Sequence, residues 1–192
     1  HSGVDWVRTI AVLVKPEYEG QGGSTITQQL IKNLTDQKDA TFIRKFNEIL
    51  RALNFEKNYS KKDILEAYLN TVSLGAGCYG VKTAAETYFG KDVSELTLEE
   101  CATLAGITKA PYSLNPYANY EACMERRNTC LLHMTNEGKV KKKEYYAIKE
   151  KDTKVLPKKV ASAGNESKKD DEIMNWHMRP AVIRTGISGI MA

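Results

Sequence analysis

Two adjacent glycines followed at once by a helix-capping pattern most constrain what this chain can fold into. Gly22 and Gly23 let the backbone turn tightly and approach a ligand closely. The spacing of Thr25 and Gln28 is that of a capping box, in which each side chain accepts a hydrogen bond from the other residue's backbone N–H, and it predicts the start of a helix. The N-terminus of a helix favours a phosphate or carboxylate through its free N–H groups and its dipole. Residues 22–33 therefore predict a loop and helix that hold an anionic substrate.

The predicted helix has one polar and one apolar side. The polar stripe, which ends in an ammonium group, consists of Thr25, Gln29 and Lys32. The apolar stripe, which we expect to be buried, consists of Ile26, Leu30 and Leu34. An ordinary surface helix that begins at a glycine is the alternative, and spacing alone does not decide between the two.

A second basic pattern lies at the start of the next predicted helix. Arg44 and Lys45 could neutralise a diphosphate while Glu48, kept ionised by these cations, accepts hydrogen bonds. The alternative is a solvated ion pair between Arg44 and Glu48, worth a few tenths of a kcal/mol (about 0.2–0.5). The expected buried face of this helix consists of Ile43, Phe46, Leu50 and Leu53.

Length and periodicity limit the architecture. With 192 residues, of which 42% are hydrophobic, the chain can build one domain with a core and a tail, but no second full domain. Helical spacing recurs and strand alternation is scarce, which predicts a mainly α protein. Further helices are predicted to begin near Ser60, Val81, Thr97 and Asn119. Because apolar periodicity is lost beyond Asp152, we assign residues 1–150 to the domain and 151–192 to a charged linker and the start of a following region.

Charge and cysteine content limit the partners. The formal charge of +4 suits an anionic lipid headgroup or pyrophosphate, and it is too small to indicate nucleic acid. Aromatic and basic residues also share no common stripe, so we expect no nucleic-acid partner. The cysteines lack the spacing of zinc or redox sites, and we expect mostly buried free thiols and no protein metal site. They are Cys78, Cys101, Cys123 and Cys130.

Taken in order, these stretches resemble the signature motifs of the peptidoglycan glycosyltransferases. This is the family 51 domain of class A penicillin-binding proteins and monofunctional transglycosylases. Residues 22–33 resemble the second motif, and 44–48 resemble the third, Arg-Lys-x-x-Glu. Residues 62–70 resemble the fourth motif, and 126–131 resemble the fifth, with Cys130 in place of valine. The resemblance extends from residue 1 to about residue 146.

The first motif of that family is present only in its second half. His1 and Gly3 occupy the positions of its histidine and glycine. The glutamate that the family uses as catalytic base would lie seven residues before His1 and is not in this sequence. We therefore expect the chain to be inactive by itself.

The resemblance implies a mainly α, lysozyme-like, two-lobed glycosyltransferase domain. It implies polymerisation of lipid II into β-1,4-linked glycan strands, with inversion and release of undecaprenyl pyrophosphate. Glu48 is then expected to be catalytic, and the residues expected to bind the diphosphate are Ser24, Thr25, Gln28, Gln29, Lys32, Arg44 and Lys45.

The implied partners are lipid II, the growing glycan strand, the membrane surface and moenomycin-type inhibitors. No cofactor is required by the pattern, although Mg²⁺ could accompany the substrate pyrophosphate. The expected location is the extracytoplasmic face of the bacterial cell membrane, with an anchor outside this chain.

Two other functions stay open at this stage. A lysozyme-like enzyme would cleave glycan with a carboxylic acid and would have no use for a diphosphate site. A non-catalytic fragment would bind lipid II without turnover. Assays on lipid II and on polymeric peptidoglycan separate the first alternative from a polymerase.

Overall fold

The computed structural model describes residues 3–15, 22–35 and 42–158, and helices make up most of these ranges. In chain order they are α1 (Trp6–Val14), α2 (Ile26–Thr35), α3 (Phe42–Asn58), α4 (Lys61–Thr71), α5 (Val81–Phe89), a 3₁₀ turn (Val93–Glu95), α6 (Leu98–Ile107), α7 (Tyr120–Asn136) and α8 (Lys142–Lys149). One isolated antiparallel bridge between Ser73 and Tyr79 is the β pairing within the described ranges. The mainly α prediction is confirmed.

The chain divides into two compact units. The first comprises residues 1–61 and 159–192, and the second comprises residues 62–158. In the described part of the first unit α2 packs against α3. The residues buried on these two helices include Leu30, Ile31, Ala52 and Phe55.

The second unit is built on the packing of α6 against α7, with α8 added to it. Its core cluster consists of Ala102, Leu131, Val140, Tyr145 and Ile148. Helix α8 lies within lysine-rich surroundings and is not predicted by the sequence pattern. This helix needs only two apolar side chains, Tyr145 and Ile148, to attach to the core.

Predicted helix starts that depend on local chemistry are confirmed. The backbone N–H of Thr97 donates to Oε2 of Glu100 at 2.9 Å, as a capping box requires, and α6 follows. Asn119 precedes α7, and its side-chain oxygen accepts from the backbone N–H of Ala122 at 3.0 Å. Gly90 ends α5 with a φ of 67°, a conformation that a residue with a Cβ adopts only at a cost in free energy.

The buried face predicted for α3 is wrong, and the one predicted for α2 is correct only at Leu30. Along α3, Ile43, Phe46 and Leu50 are 74%, 62% and 49% exposed. Ile26 of α2 is likewise exposed, and the buried residues of α2 are Thr27, Gln28, Leu30 and Ile31. The residues buried on the two helices are a mixture of apolar and polar side chains, so burial does not follow the predicted apolar stripe, which on α3 remains exposed.

The end of the second unit is held by specific contacts. Arg127 of α7 donates from Nη1 to the carbonyl oxygen of Lys151 at 2.9 Å and to Oγ1 of Thr153 at 2.6 Å. The backbone N–H of Leu156 donates to the carbonyl oxygen of Tyr88 at 2.8 Å. These contacts anchor residues that the sequence analysis assigns to the linker, while the domain boundary at residue 150 stays a prediction.

The cysteines differ from the expectation at one position. Cys78 and Cys123 are buried, Cys130 is half-buried, and all four cysteines are free thiols. Cys101 is exposed, because the first turn of α6 presents it to solvent.

Candidate anion-binding site

The first turn of α2 forms as predicted. The backbone N–H of Thr25 donates to Oε1 of Gln28 at 3.0 Å, and the N–H of Gln28 donates to Oγ1 of Thr25 at 3.2 Å. Both residues are buried. This reciprocal pair is a capping box, and it fixes where the free N–H groups of the helix begin.

Thr25 also connects the start of α2 to Gly3, which occupies the position of the first-motif glycine. Oγ1 of Thr25 donates to the carbonyl oxygen of Gly3 at 2.6 Å. Gly3 has a φ of 89°, and a Cβ at this position would lie 2.8 Å from Cγ of Glu56. A glycine is therefore required here on both conformational and spatial grounds. Thr25 and Gln28 thus hold the start of the helix in place, and of these two side chains Nε2 of Gln28 is the buried polar atom without a hydrogen-bond partner in the described residues.

The two glycines differ in their surroundings, and the predicted close approach of this segment to a ligand stays a prediction. Neither Gly22 nor Gly23 has a positive φ, and a Cβ at Gly22 would meet no atom within 4 Å. A Cβ at Gly23 would lie 3.3 Å from the Cα of Thr9, and Nε of Arg8 donates to the carbonyl oxygen of Gly22 at 3.3 Å. Close packing against α1 therefore favours a glycine at position 23, whereas a Cβ at position 22 would meet no described atom.

Lys45 brings the second and third motifs together. Its Nζ donates to Oγ of Ser24 at 2.7 Å and to Oε1 of Glu48 at 2.5 Å. The Glu48 side chain is 6% exposed, whereas that of Lys45 is 37% exposed. One ammonium group therefore joins the residue before the capping box to a buried carboxylate on α3, and it remains accessible to a ligand.

Burial distinguishes this carboxylate from the solvated pair that was the alternative. Glu48 pairs with Lys45 at i−3, and its side chain is buried. The side chain of Arg44 and the whole of His1 lie outside the described residues.

The other two residues of α2 that were predicted to bind the diphosphate are Gln29 and Lys32. Nε2 of Gln29 donates to the carbonyl oxygen of Ser24 at 3.4 Å, so it supports the same turn. Lys32 is exposed, and six residues of helix place it about 9 Å along the axis from Ile26. Among the contacts of the described residues, none joins Lys32 to Lys45 or Glu48. The binding roles of Gln29 and Lys32 stay predictions.

Sequence reasoning missed a second carboxylate in the first unit. Oε1 of Glu56 accepts from Oγ1 of Thr27 at 2.5 Å, and Oε2 of Glu56 pairs with Nζ of Lys61. Burial raises the pKa of Glu56, but hydrogen bonds from Lys61 and Thr27 outweigh it, and the pKa lies below its ordinary value. No periodic pattern relates these three residues, because they belong to three different helices.

The described residues contain no cluster of three or more histidine, cysteine, aspartate or glutamate side chains able to hold a metal ion. Within these same ranges, no helix has the length and apolar content needed to cross a bilayer.

Comparison with known proteins identifies the family. The family model described as transglycosylase matches residues 1–135. The chain belongs to the transglycosylase family, and the resemblance seen in its motifs is confirmed.

The relatives include penicillin-binding proteins. The chain is 45% identical over 148 residues to penicillin-binding protein 1A of Aquifex aeolicus, covering 76% of this chain and 20% of the relative. It is 46% identical over 124 residues to penicillin-binding protein 1F of Bacillus subtilis, covering 65% of this chain and 17% of the relative. A crystal structure of penicillin-binding protein 1A from Haemophilus influenzae matches with a TM-score of 0.51 and 32% identity, over 79% of this chain and 20% of that one. The chain thus spans about a fifth of the length of these relatives.

Proposed function

We propose that this domain, with the first motif complete, polymerises lipid II into β-1,4-linked glycan strands and releases undecaprenyl pyrophosphate. The observation that carries the proposal is the contact of Lys45 with both Ser24, at the start of α2, and the buried Glu48. An ammonium group beside a helix N-terminus can bind a diphosphate, because the diphosphate bears several negative charges. Membership of the transglycosylase family supports the same substrate class.

The proposed step is an inverting displacement. The 4-hydroxyl oxygen of the acceptor sugar attacks the anomeric carbon of the donor, and the bond from that carbon to the diphosphate oxygen breaks. The hydroxyl proton passes to a base, which in the resembled family is the first-motif glutamate. Lys45 and the N–H groups of α2 stabilise the charge that develops on the departing diphosphate. Glu48 fixes the ammonium of Lys45, so that little reorganisation is needed during the reaction.

The other predicted binding residues fall into two groups in this proposal. Thr25 and Gln28 hold the helix start, as their buried hydrogen bonds indicate. Gln29, Lys32 and Arg44 provide further contacts to the diphosphate or its sugar. A moenomycin-type phosphoglycolipid would occupy the same site because its phosphate has the same chemistry. We also propose that any Mg²⁺ arrives with the pyrophosphate.

We further propose that the first unit lies on the membrane surface at the extracytoplasmic face. Two of its helices expose large apolar side chains at helical spacing, as interfacial helices do. These side chains are Trp6, Val7 and Ile10 of α1, and Ile43, Phe46 and Leu50 of α3. Since the substrate carries a long lipid, a site beside such a surface can receive the diphosphate without extracting the lipid from the bilayer.

Incubation with lipid II tests the activity directly. A version of the chain that carries the complete first motif should convert lipid II into glycan strands, measured by gel separation of labelled products. Replacing Glu48 by Gln should lower the rate by about 10²–10³-fold, the range for loss of one group that stabilises charge developing in the transition state. Release of fragments from polymeric peptidoglycan, with no use of lipid II, would support the glycan-cleaving alternative instead. Binding of lipid II without products would support a non-catalytic role.

A further inference from the structure

We infer that Glu56 is a positioning residue for the diphosphate site, although it lies in none of the motifs. The inference rests on the proposed function. Glu56 fixes the first turn of α2, and thereby the place of Ser24 and of the free backbone N–H groups that meet the diphosphate.

The carboxylate of Glu56 connects three segments of the first unit. Its side chain is 7% exposed. Oε1 accepts from Oγ1 of Thr27 in the first turn of α2, at 2.5 Å, and Oε2 pairs with Nζ of Lys61. A Cβ added at Gly3 would lie only 2.8 Å from Cγ of Glu56, so this side chain also packs closely against Gly3. The segment before α1, the start of α2 and the start of α4 therefore all depend on this one side chain.

Thr27, which bonds to Glu56, lies in the same helical turn as the residues that form the start of the proposed site. Thr27 is three residues from Ser24, and the capping pair of Thr25 and Gln28 lies within the same turn. Ser24 is in turn the residue that accepts from Lys45. Glu56 itself is eight residues beyond Glu48, or about 12 Å along α3, so it acts by placement and not by contact with substrate.

The ionised form of Glu56 is needed for this arrangement. A carboxylate only accepts hydrogen bonds, and here it accepts from both the hydroxyl of Thr27 and the ammonium of Lys61. A glutamine of the same size offers one oxygen and one NH₂ group. Its NH₂ group would have to donate to the hydroxyl of Thr27, which can also accept, so the charge-assisted bonds from Thr27 and Lys61 would both be lost and the first turn of α2 would be held less firmly.

The second unit contains a matched control. Nζ of Lys91 donates to both oxygens of Glu100 at 2.8 and 2.9 Å, and Glu100 also accepts from the backbone N–H of Thr97 at the start of α6. The Glu100 side chain is 9% exposed. Glu100→Gln is thus the same chemical change, in the same kind of lysine and helix-start environment, in a unit without the site.

The experiment compares affinity with stability in four chains and the wild type. Glu56→Gln, Glu100→Gln, Thr27→Val and Thr27→Ser are titrated with a fluorescent phosphoglycolipid, and their thermal melting is recorded. We expect Glu56→Gln and Glu100→Gln to lower the melting temperature by similar amounts. Only Glu56→Gln and Thr27→Val should weaken phosphoglycolipid binding, by about tenfold, since each removes the charge-assisted hydrogen bond between these two side chains. Thr27→Ser keeps the hydroxyl and should retain affinity within about twofold.

The outcomes separate this inference from the proposed function. A wild-type chain that does not bind the phosphoglycolipid overturns the proposed function and the inference with it. Wild-type binding with equal affinities for Glu56→Gln and Glu100→Gln overturns the inference alone. If Glu56→Gln fails to fold, Thr27→Val decides, and its unchanged affinity would equally contradict a positioning role.

Discussion

Helices α3 and α7 have the same length, 17 residues, and use their side chains in opposite ways. Helix α7 buries Cys123, Met124 and Leu131 against the second unit. Helix α3 leaves Ile43, Phe46 and Leu50 exposed and buries Glu48. An apolar stripe therefore does not by itself identify the side of a helix that faces the core.

Both helices also bury a charged side chain, and the two charges differ in their partners. Arg127 is 1% exposed and donates to acceptors within its own unit, among them the carbonyl oxygen of Ile148 and Oγ1 of Thr153. Glu48 instead meets an ammonium that is partly open to solvent. A buried charge surrounded by internal partners anchors a fold, whereas one that supports an accessible charge is suited to ligand binding.

Leucine-to-alanine changes on the two helices should give the largest contrast. Leu131→Ala removes a fully buried side chain and should lower the free energy of unfolding by about 2–5 kcal/mol. Leu50→Ala removes a half-exposed one and should change it by less than about 0.5 kcal/mol. Urea denaturation of both variants measures the difference. Similar losses would mean that the apolar stripe of α3 is covered within the protein.

Serine substitutions on α3 test the membrane surface. The double change Ile43→Ser and Phe46→Ser removes two exposed apolar groups and should weaken sedimentation with anionic phospholipid vesicles by about tenfold or more. Leu132→Ser, on an exposed position of α7, is the control and should have little effect. Equal vesicle binding by both variants would argue against a membrane role for α3.

The ionisation of Glu100 in the second unit should make stability depend on pH, with an effect smaller than that of Leu131→Ala. Burial raises the pKa of Glu100, but the hydrogen bonds from Lys91 and Thr97 outweigh it, so the folded pKa lies below the ordinary value of 4.5. Because the folded pKa is lowered, the carboxylate stabilises the fold above about pH 4.5, and this contribution is lost as the pH falls through the folded pKa. The advantage of wild type over Glu100→Gln should be about 1 kcal/mol at pH 7 and should shrink below pH 4.5. A constant advantage between pH 7 and pH 3 would show that Glu100 acts only by packing.

The sequence predicts those features that depend on near neighbours. The capping pairs at Thr25 and Thr97 and the cap at Asn119 each involve residues within one turn, and these predictions are confirmed. The motif resemblance likewise identified the family and the group of Ser24, Lys45 and Glu48.

Features that depend on tertiary partners were not predictable in this way. Periodicity could not tell that α2 packs on the Glu48 side of α3, so the apolar stripe was assigned to the wrong face. Glu56 escaped notice because its partners, Thr27 and Lys61, come from other helices. The hydrogen bond from Thr25 to Gly3 spans 22 residues, and no local rule relates the two.

The central claim, that Lys45 binds the substrate diphosphate, is tested most directly by a paired lysine substitution. Lys45 and Lys91 have side chains that are 37% and 35% exposed, and each pairs with a buried glutamate. Lys45→Met and Lys91→Met are titrated with a fluorescent phosphoglycolipid beside the wild type. Our account predicts that Lys45→Met loses about 1.5–3 kcal/mol of binding free energy, the range for a hydrogen bond to a charged group, while Lys91→Met binds as wild type does. Equal affinities for the two variants would contradict the assignment of the diphosphate site to Lys45.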